Sequence, residues 1–332
     1  MSLIFYFIYQ LNRFPVIKRR TIIKAYILKR LLLLVPLFLG ITVITFALIK
    51  ALPGDPVLSL VGERSSPETI ERIKKQIGTD RSFIFQYTGY VQLLLKGEMG
   101  RSYYTQRDVA RDILDKFPNT LKLAFASMIL AVPIGLILGF VSVRNKGKPL
   151  DIFTSIIAVG GISLPVFWIG LILIYIFSFL LNLLPPSGTG DIRFLILPAV
   201  TLSLPAAASI ARVARTTMLE IIGEPFVQTA RAKGLGETAI LVKHVFKNAL
   251  IPLVTIIGLD FASYLNGAVL TETIFGWDGI GRFTMEGIIK RDYPVVMGCL
   301  LVGTSAFVLI NFAVDILYQY LDPRIRIIEH SG

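Results

Sequence analysis

From Leu31 to Ile49 the chain carries no charged residue, and fourteen positions are Leu, Ile, Val or Phe. Each such residue favours insertion near a helix centre by roughly 0.3–0.6 kcal/mol, so several kcal/mol favour placing this segment in a bilayer. Leu123–Val143, Ile152–Leu184, Phe194–Ala211 and Met297–Val314 read the same way, each close to or beyond the ~20 residues that cross hydrocarbon. Ile251–Leu270 is also apolar but contains Asp260, which costs about 2.5–3.5 kcal/mol and is offset by its neighbours. The expected fold is therefore an all-α integral membrane protein with six transmembrane helices. Ile152–Leu184 exceeds the need, and tilt or an interfacial turn at Pro185-Pro186 is expected to absorb the excess.

Composition agrees. Two soluble domains would fit 332 residues, but the chain is 54% hydrophobic and only 17% charged, with mean hydropathy +0.69. A net charge of +12 invites a nucleic-acid reading. The basic residues bracket apolar runs and form no stripe, which points to anchoring of helix ends, with membrane lipid and not nucleic acid as the partner. One cysteine, Cys299, excludes an internal disulfide, and His244 and His330 leave no metal-binding spacing. Leu3–Ile8 has no basic region before it and no small-residue cleavage site after it, so an interfacial or disordered extension is expected, not a cleaved signal.

Charge also orients the helices. Arg13, Lys18, Arg19, Arg20, Lys24, Lys29 and Arg30 precede the first span without an acidic residue among them, which places the N-terminus in the cytoplasm. Alternation puts 51–118 outside, where Arg64, Lys74, Lys75 and Arg101 are balanced by Glu63, Glu68, Glu71 and Asp80. Arg144, Lys146 and Lys148 then fall inside, as do Arg212, Arg215, Arg231, Lys233, Lys243 and Lys247, and Arg324 with Arg326 place the C-terminus inside. An error of one helix would move half of these clusters to the wrong side.

The expected organisation is an N-terminal cytoplasmic or interfacial extension (1–28), helix 1 (29–50), an external loop subdomain (51–118), a core of helices 2–6 (119–323) and a cytoplasmic tail (324–332). In the external loop, Ser66 is a plausible N-cap for a helix through Ile70, Ile73 and Ile77, with Gly78 as its stop, and Phe83–Leu95 suggests a second helix. Pro133, Pro165, Pro198 and Pro205 lie deep in spans and predict kinked helices packed against protein. Gly135 and Gly139 form a small-xxx-small pair, a weak signal for close helix contact.

The cytoplasmic stretch 216–250 is too long and too patterned for a connector. Its first amphipathic piece has Pro225 in the first turn, Phe226, Val227 and Ala230 on one side, and Arg231 and Lys233 near its C-terminal end. Gly234-Leu235-Gly236 permits a sharp turn. The second piece, Glu237–Leu250, sets Leu241, Val245 and Phe246 against Lys243, His244 and Lys247. A short helix held below a membrane can lie on anionic lipid or sit in a groove of a soluble partner and be pushed as a rigid body.

Thr229-Ala230-Arg231-Ala232-Lys233-Gly234-Leu235, with Asn248-Ala249-Leu250-Ile251-Pro252 downstream, resembles the coupling loop of ABC importer permeases. Leu52-Pro53-Gly54-Asp55-Pro56, Glu272-Thr273-Ile274-Phe275-Gly276 with Gly279-Ile280-Gly281, and Asp315 with Leu321-Asp322-Pro323-Arg324 resemble the dipeptide and oligopeptide permease branch, over nearly the whole chain from Lys29. Thr229 stands where the broader superfamily often has Glu. The resemblance implies a cytoplasmic coupling helix between helices 4 and 5, with Thr229–Gly236 docking into ABC ATPase subunits. It also implies a second homologous permease subunit, an external solute-binding protein, and a prokaryotic inner or plasma membrane location. Peptide cargo is implied at the family level, with nickel complexes and sugars as the alternatives.

Asp260 is the one ionisable residue well inside a span, where it either lines the solute path or makes a structural hydrogen bond. Asn266 and Glu272 join it as candidate path or gate residues, with a contact from Glu272 to Arg282 or Arg291 as the structural alternative. Asn311, Asp315 and Tyr318 share a face of the last helix, Asp315 being expected to pair with a coupling-loop cation. Trp277 and Tyr293 are expected as interface-belt aromatics, and Cys299 as core. No phosphate-binding GxxxxGK[ST] loop occurs, so ATP and Mg are expected on partner subunits and no cofactor on this chain. A secondary transporter or channel would carry several mid-membrane ionisable groups, and an intramembrane enzyme would carry paired catalytic groups inside spans. Neither pattern is present, and no catalytic residue is assigned.

Overall fold

A computed structural model of the chain describes residues 32, 35–47, 56–61 and 65–321. The extension at 1–28 with its basic cluster, the Leu52-Pro53-Gly54-Asp55 motif, Asp322-Pro323-Arg324 and the tail lie outside the described residues. Within them the chain is helical, with one isolated antiparallel bridge, Arg101 to Asp108. Helix α1 (Val35–Ala47) is the described part of the first apolar stretch, and α2 (Pro56–Val61) follows. Helix α3 (Pro67–Ile77) starts and stops as its sequence predicts: Ser66 Oγ accepts the Thr69 N–H, and Gly78 adopts φ 77°. Helix α4 (Phe83–Leu95) matches its predicted span. It packs on α1 through aromatic edges, Phe46 against Phe83 at 5.0 Å and against Tyr87 at 5.6 Å between ring centres.

Helix α5 (Val109–Arg144) has 36 residues, or about 54 Å at 1.5 Å per residue, well beyond a ~30 Å hydrocarbon core. It starts before the boundary expected at 118, and its charged first turns, Arg111, Asp112, Asp115 and Lys116, project past the apolar part. Pro118 and Pro133 are carried inside it. Helices α6 (Pro149–Ser163) and α7 (Val166–Leu173), the latter continued by a π-helix over Ile174–Leu180, form one apolar stretch bent by 101°. This is where the excess length of 152–184 goes. The bend falls at Leu164-Pro165, because the ring of Pro165 disfavours helical geometry at the residue before it, and not at Pro185-Pro186.

Helix α8 (Ile192–Ile222) runs parallel to α5 and makes its closest contact. A Cβ on Gly135 would lie 2.7 Å from the Ala207 carbonyl oxygen and from Ile210 Cβ, and one on Gly139 would lie 2.6 Å from Ala214 Cβ. The small-xxx-small pair is thus the seam between two spans, paired with an alanine-rich stripe, Ala207, Ala211 and Ala214. After the short α9 (Pro225–Ala232), α10 begins at Glu237 and continues through a π turn at Leu241–Phe246 to Leu265. The expected second amphipathic piece is therefore the first part of a span, not a separate helix. Helices α11 (Val269–Ile274) and α12 (Ile280–Lys290) form a hairpin, and α13 (Tyr293–Leu321) returns antiparallel to α10. There Thr255 and the Tyr318 hydroxyl hydrogen-bond across the pair. Among the described residues, four helices are long and apolar enough to cross a membrane, and the bent pair makes up to five.

Candidate functional site

The helix directions sort the marked residues to two ends of the bundle, one carrying Gly234 and the other carrying Glu272. At the Gly234 end, Val227 and Ala230 of α9 are buried against Met218 of α8 and Ile240, Leu241 and Val245 of α10. Phe226, placed with them by the sequence pattern, instead faces outward at 43% exposure. Thr229, Arg231, Ala232, Lys233, Gly234, Leu235 and Gly236 are all exposed, so of the predicted coupling residues only Ala230 belongs to the core. Gly234 adopts φ 79° and its N–H donates to the Arg231 carbonyl at 2.9 Å, closing α9. The Arg231 guanidinium then forks onto Glu237 at 2.7 and 3.2 Å, spanning the turn between α9 and α10.

Behind this loop lies a polar cluster that sequence reasoning missed. Asp151, in the first turn of α6 and 4% exposed, accepts two hydrogen bonds from Arg215 of α8, at 2.9 and 3.1 Å. It also accepts from the hydroxyl of Ser142 on α5 and, at 3.0 Å, from the Gly147 N–H. Arg215 Nε reaches Ser142 Oγ as well, at 2.9 Å. In the sequence Arg215 stands out only as one of several cations at the cytoplasmic side, and Asp151 carries no signal of its own. Nothing in their spacing joins residues 64 positions apart.

At the opposite end, Glu272 on α11 is completely buried. Its carboxylate accepts Thr120 Oγ1–H of α5 at 2.8 Å and the backbone N–H of Arg282 at 3.0 Å, while Thr120 in turn accepts the Ile280 N–H at 2.9 Å. The start of α12 is thus wrapped around the carboxylate, and Gly279 and Gly281 let it come that close. A Cβ on Gly279 would stand 2.5 Å from Glu272 Cδ and from Thr120 Oγ1, and one on Gly281 2.8 Å from Glu272 Oε2. This explains why Glu272 and the Gly279-Ile280-Gly281 run occur together. Glu272 lies beyond the end of α10, and burial pushes its carboxyl above the ordinary carboxylate range against the pull of these donors. Its contact to Arg282 is through backbone. The Arg282 guanidinium goes to Glu286 at 3.0 Å and the Gly276 carbonyl at 2.8 Å.

Trp277 corrects the expectation of a belt aromatic. It is 3% exposed and its indole N–H donates to the Asn119 carbonyl at 3.0 Å, and Tyr293 is buried too. Trp277, in the turn between α11 and α12, packs against Leu123 of α5 and Ala199 and Leu202 of α8, and Tyr293 packs with Phe46 of α1 and Tyr90 of α4. Asp292 is a second missed residue. It is buried and accepts Ser102 Oγ–H at 2.5 Å and the Tyr103 N–H at 3.1 Å, tying the segment before α5 to the start of α13. Cys299 is buried in core, as expected.

Among the described residues, neither Asp260 nor Asn266 hydrogen-bonds to Glu272, whose partners are Thr120 and the backbone at the start of α12. Asp260 lies in α10, half-buried, and its Oδ2 is buried with no hydrogen-bond partner among the described residues. One turn on, the Tyr264 hydroxyl donates to the Leu202 carbonyl at 2.8 Å. Asn266 is exposed in the turn that ends α10, its N–H closing on the Ala262 carbonyl at 3.2 Å. Among the described residues, no three His, Cys, Asp or Glu side chains converge to hold a metal ion.

Comparison with known proteins places this architecture. The profile of the family described as "Binding-protein-dependent transport system inner membrane component" matches residues 131–327, and that of its N-terminal region matches 23–124. The chain is 40% identical over 331 residues to the di/tripeptide transport system permease protein of Pseudomonas aeruginosa, covering 91% of this chain and 98% of that one. It is 37% identical to the dipeptide transport system permease protein of Escherichia coli K12 over 333 residues, with 91% and 98% covered. The glutathione transport system permease protein of the same strain is 37% identical over 301 residues, again with 91% and 98% covered. Among solved structures, an inward-facing MetNI methionine ABC transporter superposes with TM-score 0.55 at 22% identity, over 63% of this chain and 96% of that one. An amino acid ABC transporter with histidines gives 0.52 at 15%, over 63% and 94%. At that identity the structures speak for the fold alone. From the matched profiles and relatives, the chain belongs to the binding-protein-dependent transport system inner membrane components, the multi-pass permease subunits of ABC importers, and is a transport subunit, not an enzyme.

Proposed function

We propose that this chain is one half of the translocation pathway of an ATP-driven importer of di- and oligopeptides. Six spans would cross the membrane, with both termini cytoplasmic. The sixth is α1, whose thirteen described residues (Val35–Ala47) are the centre of the longer apolar run 31–49. The Gly234 end then faces the cytoplasm and the Glu272 end the exterior, where the solute-binding protein delivers cargo. Residues 51–118 form the external subdomain and 119–323 the core, entered by α5 from outside. A second homologous permease closes the pathway, and ATP and Mg are held by ATPase subunits. Thr229–Gly236 is the docking segment. The observation that carries the reading is that this segment is exposed although its helix is anchored by Val227 and Ala230, leaving Phe226 and Leu235 outward at 43% and 41% exposure. A helix built only to fill space would bury such side chains, whereas one built to enter a partner's groove presents them.

Peptide cargo is supported by the 37–40% identity to permeases named for dipeptides, di/tripeptides and glutathione. Asp260, whose Oδ2 has no hydrogen-bond partner among the described residues, suits a solute path, since a carboxylate left unpaired inside a span is stable only against water or a cation. A peptide amino terminus is such a cation. The test is to purify the complex through this chain from its native membrane and identify both co-purifying subunits and retained small molecules by mass spectrometry. Recovery of ATPase subunits with bound peptides is expected. Recovery of ATPase subunits with a nickel complex or sugar would overturn the cargo, and absence of an ATPase would overturn the whole assignment.

A further inference from the structure

The Ser142–Asp151–Arg215 cluster has no part in the reading above, yet it is the only bidentate ion pair with a buried carboxylate among the described residues. It joins three helices at the Gly234 end: the last turn of α5, the first turn of α6 and α8. From Arg215, α8 runs two more turns, about 10 Å, to Ile222, and only Gly223 and Glu224 separate it from the docking helix α9. Helix α6 leads in the other direction to the 101° bend and α7. Gly170 of α7 lies against Phe275, just past α11.

We infer that Asp151 and Arg215 are positioning residues for energy coupling: they clamp α5, α6 and α8 into one rigid body, so that displacement of α9 reaches the bent α6–α7 span while α10 moves separately. This rests on the coupling assignment of α9. The physical contrast is between two kinds of contact. The clamp is a fork of charge-assisted hydrogen bonds, which hold only in one geometry and leave a buried charge stranded when broken. By contrast, α10 meets α8 and α9 there through Ile240, Leu241 and Val245 against Met218 and Val227, apolar surfaces that can slide past one another in the manner of helix shear. Among the described residues the polar side-chain link across that joint at the Gly234 end is Arg231 to Glu237, exposed on both sides and correspondingly weak. The docking helix therefore has a stiff attachment on its α8 side and a compliant one on its α10 side.

The test uses the complete transporter in lipid nanodiscs with spin labels at exposed positions, one pair at Ile156 and Glu220 (α6 to α8) and one at Glu220 and Lys243 (α8 to α10). Distances are measured without nucleotide and after trapping with ATP and vanadate. The expected result is an Ile156–Glu220 distance that stays the same in the two states, with a Glu220–Lys243 distance that shifts. In Asp151→Asn the first distance broadens and becomes state-dependent while ATP hydrolysis persists. Arg215→Lys, which keeps the charge and loses the fork, gives a smaller broadening. An Ile156–Glu220 distance that shifts between states in the native complex would overturn the clamp without needing any variant, as would native-like distances in both variants. If neither pair moves, the coupling assignment of α9 fails, and the clamp's role with it.

Discussion

At the scale of single residues, the carboxylates of this chain divide by whether the fold supplies their partners. Glu272 is fully buried and fully provided for, by Thr120 and by backbone N–H groups at the start of α12. Replacing it with Leu strands those donors at about 1–3 kcal/mol each, whereas Gln keeps an acceptor. The thermal midpoint of the purified complex is therefore expected to drop several degrees further in Glu272→Leu than in Glu272→Gln. Equal midpoints would mean that the carboxylate is not holding the α11–α12 hairpin to α5. Gly279→Ala should resemble the Leu variant, because its Cβ would stand 2.5 Å from Glu272 Cδ, an overpacking cost of about 1–3 kcal/mol. Asp260 is the opposite case, with one oxygen left without a partner among the described residues. If it receives a peptide amino terminus, Asp260→Asn lowers uptake of peptides with a free amino group and spares their N-acetylated counterparts. An unchanged ratio between the two would return Asp260 to a structural role.

At the scale of elements, Gly234 fixes the angle between α9 and α10. Its φ of 79° is left-handed, yet no atom lies within 4 Å of where a Cβ would be, so the constraint is conformational and not steric. Asn tolerates this region, while a β-branched side chain is an outlier there. Gly234→Asn is expected to keep most of the binding-protein-stimulated ATP hydrolysis of the reconstituted complex, and Gly234→Val to lose it, with normal membrane insertion in both. Normal stimulation in the Val variant would count against a coupling role for the turn. Elements of this kind were legible in sequence, because Ser66, Gly78, Pro225 and Gly234 act on their own neighbours through local backbone geometry. The break at Pro165 was foreseen as a kink but not at its size, since the bend depends on what α7 packs against. The Asp151 clamp and the Glu272 cradle were not legible, because each joins residues from helices distant in the chain, and helical periodicity gives faces without saying which faces meet.

At the scale of the whole molecule, the distribution of charge bears on which end of the bundle faces the cytoplasm. Both long helices α5 and α8 overshoot a bilayer, and their projecting ends differ: α5 begins among mixed charges, Arg111, Asp112, Asp115 and Lys116, while α8 ends past Arg212 and Arg215 beside a loop with Arg231 and Lys233. At the Gly234 end Arg144, Lys146, Lys148, Arg212, Arg215, Arg231, Lys233, Lys243 and Lys247 outnumber Asp151, Glu220, Glu224 and Glu237, and an excess of Lys and Arg resists translocation, so this end should be the cytoplasmic one. Single-cysteine labelling decides this directly. Lys233→Cys, exposed in the turn after α9, should react with a membrane-impermeant maleimide only after the membrane is permeabilised, whereas Glu71→Cys on α3 should react in intact cells. Native Cys299 is buried and serves as the unreactive background. The two sites report on opposite ends of the bundle, so a correct topology must give opposite answers. Labelling of Lys233→Cys from outside would put the docking helix beyond the reach of any cytoplasmic ATPase, and no rearrangement of partners could then preserve ATP-driven import by this chain.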